Sequence, residues 1–215
     1  PSPTAVLPAA AVLAACTALA QPATIPLSTP VEQLARDALG MQPGMAVAGV
    51  DRVVVATDDI RIRDHAVAFG AEVVMTSPDA RNGTERCAEV AAMLPGYDMV
   101  VNLQGDAPLT PAWFVEALIV ALDADRDADI ATPVLRCDGR ALNSLLADRR
   151  AGRVGGTTAV FSSQDRALYF SKEVIPYTGQ VYADDAQTPV FHHVGVYAYR
   201  PAALAAYPDW PVGPL

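Results

Sequence analysis

Basic side chains are scarce in this chain. Lys and Arg number 15 against 24 Asp and Glu, for a net charge of −9 and a pI near 4.6. Lysine occurs once, as Lys172, and no Lys or Arg precedes Arg36. That balance excludes nucleic acid and anionic membrane surfaces as partners. A chain this acidic that binds a polyanionic nucleotide must gather its few cations at the site or borrow a metal. Cysteine is also sparse. Cys16, Cys87 and Cys137 are odd in number and show no CxxC spacing, which excludes a disulfide framework and a cysteine metal site. Buried free thiols in a reducing, cytoplasmic compartment are expected. No apolar run is long and unbroken enough to span a membrane. The Ala-, Val- and Leu-rich stretch 5–20 could pass for a secretory leader, but it lacks a basic flank and Pro8 interrupts it. It reads as core. Internal repeats and low-complexity linkers are absent.

What is present is a hydrophobic content of 52% over 215 residues, enough for one large α/β domain or one domain with a small lobe. Residues 5–7 suit a short first strand ended by Pro8. Residues 9–20 are ambiguous, and alanine alone would make them helical. A loop is expected over 21–29. Thr29-Pro30-Val31-Glu32 then starts a helix that runs to about Leu39, and a connector follows over 41–48. Residues 53–56 read as a buried strand. Thr57-Asp58-Asp59 caps a helix with Ile62, Ala66 and Phe69 at helical spacing, ended by Gly70. A strand at 73–75, a polar loop at 76–83 and a helix at 84–93 with Cys87, Val90 and Ala91 inward come next. Strands at 99–103 and 130–135 flank a helix at 111–122. This alternation predicts an α/β fold, a three-layer sandwich with a mainly parallel, Rossmann-like sheet. After Cys137 the rhythm changes. A surface helix is expected over 140–150, and two strands over 159–162 and 166–171 around a turn at Gln164-Asp165. Residues 190–200 alternate, with Val194, Val196 and Ala198 on one face and Gly195, Tyr197 and Tyr199 on the other. The C-terminal half therefore adds antiparallel strands. The whole chain, 1–215, reads as a single domain with an accessory region at about 140–190.

The stretch most charged with chemistry is Val100 to Leu109. An apolar strand breaks there into Gln104-Gly105-Asp106. Ligands of open α/β sheets bind at the carboxyl ends of such strands. Gly105 lets backbone pass close to a ligand, and Asp106 is a hard oxygen donor where a phosphate-bound Mg²⁺ would need one. A tight turn capped by Asp and Gly is the competing reading of these three residues.

Four motifs coincide with one family. Residues 53–90, VVVATDDIRIRDHAVAFGAEVVMTSPDARNGTERCAEV, resemble the CMP-Kdo synthetases (3-deoxy-manno-octulosonate cytidylyltransferases). So do VVNLQGDAPL at 100–109, RALYFSKEVIPY at 166–177 and FHHVGVYAYR at 191–200. The resemblance covers about residues 50–215. It implies an α/β nucleotidyltransferase, a homodimer, that joins CTP to a small acidic acceptor with Mg²⁺ and releases pyrophosphate. Nucleotide preference would be for CTP over ATP and GTP. By this resemblance Asp106 matches the Mg²⁺-binding aspartate and Gln104 a residue near the sugar acid. Asn82, Gly83, Thr84 and Arg86 match the loop and helix start that meet the cytidine; an ion pair with Glu89 or Asp79 competes for Arg86. Lys172 stands where the family usually has Arg, near the substrate carboxylate, and a solvated lysine is the alternative. His193 matches a histidine lining the sugar pocket, assigned substrate contact only, and Tyr197 joins it from the same motif.

Departures from the family bear on function more than on fold. Of the Pro-Ala-Arg turn, Pro8 and Ala9 survive as nucleotide contacts, but Ala10 follows. The cationic phosphate loop aligns with Thr17 to Ala23, which places Thr17 and Gln21 at its Arg and Lys positions. Ala107 replaces the usual Glu, and the Asn and Lys expected around Thr157 and Thr158 are missing. The family pattern continues beyond Leu215 with a Glu-rich helix and a second metal-binding Asp. Each cationic contact to phosphate in a desolvated site contributes roughly 1.5–3 kcal/mol, so CTP binding should be weak unless other cations compensate. Three readings stay open: an active cytidylyltransferase acting on Kdo or a related sugar acid; a relative in secondary metabolism that couples CMP to another acid such as a phosphonate; and a catalytically silent relative that binds a nucleotide or a partner subunit.

Overall fold

A computed structural model describes residues 10–15, 47, 49–105, 110–211 and 213, the first six through their backbone. The chain divides into two compact units, Pro1–Ala131 with Gly195–Leu215, and Thr132–Val194. In chain order the first unit contributes β1 (Ala10–Ala15), β2 (Val50–Thr57), α1 (Ile60–Ala68), β3 (Val73–Met75), α2 (Gly83–Met93), β4 (Met99–Gln104), α3 (Ala112–Ala124) and β5 (Ile130–Ala131). The second contributes β6 (Val134–Asp138), α4 (Gly139–Arg150), β7 (Thr158–Phe161), β8 (Ala167–Ser171) and β9 (Gln187–His193). The chain then returns to the first unit with β10 (Val196–Tyr199), α5 (Pro201–Ala206) and a 3₁₀ turn at Tyr207–Asp209.

The first unit's sheet has the strand order β3-β2-β1-β4-β10-β5. β3, β2, β1 and β4 are mutually parallel, while β10 runs antiparallel to both β4 and β5. Alternation along β2 feeds both faces. Val54 and Ala56 pack with Cys87, Ala88 and Val90 of α2 and Leu204 of α5. Val55 turns the other way, onto Ile62 and Ala66 of α1. Helices therefore cover both faces, the three-layer sandwich expected, and Val53–Ala56 and Val100–Leu103 share one sheet.

Local signals start the helices. The Asp59 carboxylate accepts the Arg61 N–H at 2.7 Å and opens α1. Asn82 Oδ1 accepts the Glu85 N–H at 3.0 Å and opens α2. Such a cap contributes about 1 kcal/mol. Packing holds α3, which has no side-chain cap but buries Phe114, Val115, Leu118, Ile119 and Leu122. Each of these large side chains contributes roughly 1.5–3 kcal/mol on burial.

The second unit is a four-stranded antiparallel sheet, β6-β9-β7-β8, with α4 packed on it through Cys137, Leu142 and Val190. α4 begins at Asp138, whose carboxylate accepts the Ala141 N–H at 2.7 Å. Glycine is required next to it, because a Cβ on Gly139 would run into the Ala183 carbonyl. The hairpin β7-β8 turns at Gln164-Asp165 as expected, with Asp165 in the left-handed region at φ 56°. Ser162 Oγ accepts the N–H groups of Gln164 and Arg166, both at 3.2 Å.

Residues 10–15, ambiguous in the sequence, form a strand although alanine favours a helix, because parallel neighbours β2 and β4 take up their backbone groups on both sides. Two expectations need correction. The single parallel strand expected over 130–135 is two strands in different units, β5 antiparallel to β10 and β6 paired with β9. Pro133, without an N–H, stands at the break. Residues 190–200 likewise divide, into β9 and β10, at Val194-Gly195. The antiparallel strands of the C-terminal half thus partly form a sheet of their own. The strand expected at 5–7 and the helix expected at 29–39 lie outside the described residues.

Candidate functional site

Because β2, β3 and β4 run in one direction through β1, their carboxyl ends share one edge of the sheet. That edge carries Asp58 after β2, Thr76 after β3, and Gln104-Gly105 at the end of β4. Arg86 reaches it from α2. Only 2% exposed, Arg86 pairs through Nη2 with Asp58 Oδ1 at 3.0 Å and donates through Nη1 to Thr76 Oγ1. Its Nε has no hydrogen-bond partner. Glu89 and Asp79, named above as competing partners, are engaged elsewhere: both Glu89 carboxylate oxygens accept the Ser77 N–H at 3.0 Å, and Asp79 sits against Ser77. Arg86 thus ties α2 to the ends of two strands. Removing its partner would strand a buried charge.

The first turn of α2 is held by side chains from the end of the chain. Asn82 Nδ2 donates to the Tyr207 hydroxyl at 3.3 Å, and Thr84 Oγ1 lies 2.9 Å from the Tyr199 hydroxyl. Gly83 opens the helix between them. Glu85 is bound by the Arg81 side chain, which holds its carboxyl below the usual range. Tyr197 stacks on Tyr199 with centroids 6.0 Å apart. Burial pushes the Tyr199 phenol up to about 12 and raises Tyr197 as well, so both stay neutral near pH 7. Gln104 is half-buried at the end of β4.

In the second unit, Lys172 is exposed just past β8, and its carbonyl accepts from Arg149 Nε. The same guanidinium donates to the Arg153 carbonyl at 3.0 Å and to the Gly156 carbonyl, fastening α4 to the start of β7 and the end of β8. His193, half-buried at the end of β9, shares a hydrogen bond with Thr132 through Nε2 at 2.8 Å and meets Phe170 edge-on at 5.0 Å. Burial lowers its pKa, and His192 and Lys172 lower it further. His192 is lowered by burial and then by Lys172. Two neutral imidazoles within the field of one ammonium can donate hydrogen bonds and offer a positive charge to an acid.

The expected residues therefore fall into two groups. Asn82, Gly83, Thr84, Arg86, Gln104 and Tyr197 belong to the first unit, Lys172 and His193 to the second. Pro8, Ala9 and Asp106 lie outside the described residues. Among the described residues no three His, Cys, Asp or Glu side chains are grouped to hold a metal, and no helix is long and apolar enough to cross a membrane. Both described cysteines, Cys87 and Cys137, are buried free thiols, and burial raises both of their pKa values. The sequence assigned no site role to Asp58, Tyr199 or Tyr207. It also assigned none to Asn102, which is 0% exposed and whose side chain lies against the Tyr199 hydroxyl. An amide inside the run Val100-Val101-Asn102-Leu103 was the available signal, since an apolar strand does not otherwise need one.

Residues 45–213 match the model of a family described as cytidylyltransferase. The chain is 46% identical over 156 residues to the 3-deoxy-manno-octulosonate cytidylyltransferase of Maricaulis maris, covering 72% of this chain and 59% of that protein. It is 40% identical over 159 residues to the enzyme of the same name from Chlamydia pneumoniae, covering 74% and 58%. The chain thus spans somewhat under two thirds of these relatives. A solved structure of CMP:2-keto-3-deoxy-manno-octonic acid synthetase complexed with CTP superposes with a TM-score of 0.76 at 30% identity, over 96% of this chain and 80% of that one.

Proposed function

The chain belongs to the cytidylyltransferase family, among the CMP-Kdo synthetases, and from that premise we propose that it transfers CMP from CTP to a small Kdo-like sugar acid and releases pyrophosphate. The observation that carries this reading is the family match across 45–213, which takes in every described residue placed above at the sheet edge and beside Lys172. In the reaction an acceptor hydroxyl oxygen attacks the α-phosphorus, the bond from that phosphorus to the bridging oxygen breaks, pyrophosphate leaves with that oxygen, and the hydroxyl proton passes to water. Positioning and charge neutralisation are what such a transfer asks of a protein. The turn at 82–84 would face the cytidine. Gln104, Tyr197, His193 and Lys172 would meet the acid, with Lys172 against its carboxylate.

Mg²⁺ needs one or two carboxylates and completes its shell with phosphate oxygens and water. Asp106, directly after Gly105, is the residue that would hold the ion, which would neutralise charge on the triphosphate. Pro8 and Ala9 would border the nucleotide. Buried free thiols at Cys87 and Cys137 fit a cytoplasmic enzyme. A homodimer fits the second unit, where edge strand β8 exposes Leu168, Tyr169 and Phe170.

A pyrophosphate-release screen of CTP, UTP, ATP and GTP against Kdo, other sugar acids and phosphonates tests the reading. Release with CTP and a sugar acid, dependent on Mg²⁺, is expected; no release with any pair would sink it. Release with a phosphonate alone would favour the secondary-metabolism reading, for which Lys172 and Ala107 at altered substrate-side positions speak. CTP binding without turnover would favour a silent relative, for which the uncharged Thr17 and Gln21 speak.

A further inference from the structure

Two phenols that arrive late in the chain fasten the turn that opens α2. Tyr199, 3% exposed in β10, meets Thr84 Oγ1 at 2.9 Å. Tyr207 accepts from Asn82 Nδ2 at 3.3 Å, while Asn82 Oδ1 caps the helix at Glu85 N–H, so both ends of that carboxamide are engaged. The register pairs Tyr197 with Asn102 and Tyr199 with Val100. Strand alternation sets Asn102 on the Val100 face, the face that α2 covers. Polar groups thus run through a layer otherwise built from Val54, Ala56, Cys87, Val90, Val100 and Leu204. Hydroxyls and an amide in such a layer carry a desolvation cost that packing alone would avoid with Phe at 199 and Val at 84. What the hydroxyl contacts add is a defined height and rotation of the helix start, which apolar contact does not supply.

We propose that Tyr199 and Tyr207 are positioning residues that hold the turn at 82–84 in the orientation that receives the pyrimidine of CTP. This rests on the reading of that turn as nucleotide-facing. A pyrimidine read by backbone groups and short side chains tolerates displacement of only about 0.5 Å, so the turn must be held from behind. The two contacts come from separate elements, β10 and the 3₁₀ turn, and together they oppose both sliding and rotation.

Tyr199→Phe and Tyr207→Phe keep the rings and remove the hydroxyls. Each is expected to raise the KM for CTP about three- to tenfold, the size of one net hydrogen bond, with kcat and the acceptor KM nearly unchanged. The preference for CTP over UTP should narrow, and amide hydrogen exchange at 83–85 should quicken. Thr84→Val should reproduce Tyr199→Phe, Thr84→Ser should restore the wild-type KM, and the Tyr199→Phe/Thr84→Val pair should be no worse than either alone. A lowered melting temperature with CTP KM and exchange at 83–85 both unchanged would overturn the proposal. If the wild-type chain neither binds nor uses CTP, the proposed function fails. The exchange measurement then judges the clamp: quickened exchange in the Phe variants upholds it, unchanged exchange refutes it.

Discussion

β4 buries five of its six residues, while none of the five residues of β8 is buried. β4 is an inner strand, flanked by β1 and β10; β8 is the edge of its sheet, with Leu168, Tyr169 and Phe170 exposed. β4 buries its apolar side chains inside its own unit, so the geometry at its carboxyl end is set from within. The second unit leaves apolar surface open on an edge, where another chain can add contacts. The residues proposed for the nucleotide lie in the first unit, whereas Lys172 and His193, proposed for the acid together with Gln104 and Tyr197 of the first, lie in the second.

Truncating equal side chains tests the contrast most severely. Leu204→Ala, at 0% exposure in the first unit's core, is expected to cost about 2–5 kcal/mol in urea unfolding. Leu168→Ala, at 68% exposure on β8, should stay within about 0.5 kcal/mol for the isolated chain. A comparable loss from Leu168→Ala that grows with protein concentration would show that the edge is covered by a second copy.

Chemistry should divide along the same line. Asp106→Asn keeps size and removes charge, and is expected to lower Mg²⁺-dependent turnover about 10²–10³-fold while the melting temperature holds or rises slightly. If Asp106 only caps a turn, the variant instead loses about 0.5–2 kcal/mol of stability with CTP use intact. Lys172→Met should raise the KM of the acid acceptor by about tenfold or more and leave CTP affinity alone. An equal loss for both substrates would erase the division.

Ion pairs sharpen it next. Asp58→Ala leaves the buried Arg86 without its partner and should cost about 2–3 kcal/mol, less than a fully buried pair because Asp58 is partly exposed. Asp148→Ala breaks an exposed pair with Arg153 and should cost under about 1 kcal/mol. Denaturation midpoints of the two variants check the order.

Acid gives the smallest expected effect, and it belongs to the second unit. His192 and His193 have pKa values lowered from 6.5 in the folded chain, first by burial. Well above pH 6.5 they are neutral whether folded or not. As pH falls below 6.5 the unfolded chain binds their protons first, so stability declines through the lowered folded values. His193→Gln should flatten this decline in melts between pH 7 and pH 5, and Lys172→Met should soften it by removing a like charge. An unchanged slope in both would mean that other groups carry it.

The alternation of strands and helices from Val53 to Ala124 was legible because each element is locally self-consistent: Asp59 and Asn82 cap, β-branched runs fill the strands, and Gly70 stops α1. The alanines of β1 were not, since only β2 and β4 beside them decide between helix and strand. The break at Pro133 and the division at Gly195 were missed for a related reason, because a continuous apolar pattern does not reveal which sheet it joins. Within the candidate site, Lys172 and His193 stood out by chemistry and motif. Tyr199 and Asn102 did not, because a buried polar contact depends on a neighbour far along the chain, as Thr84 is from Tyr199.

The pairing of β10 between β4 and β5 has a consequence for how the protein is made. Translation delivers β4 and β5 before the second unit, and β10 only after it. A ribosome that has released residues up to 131 leaves one edge of β4 open, and β5 has no strand beside it. The second unit, local in its contacts, can fold during this interval, while the first waits for its missing strand. Slow codons before residue 196 lengthen the time that the nascent chain presents this edge to chaperones or to other chains, and fast codons shorten it.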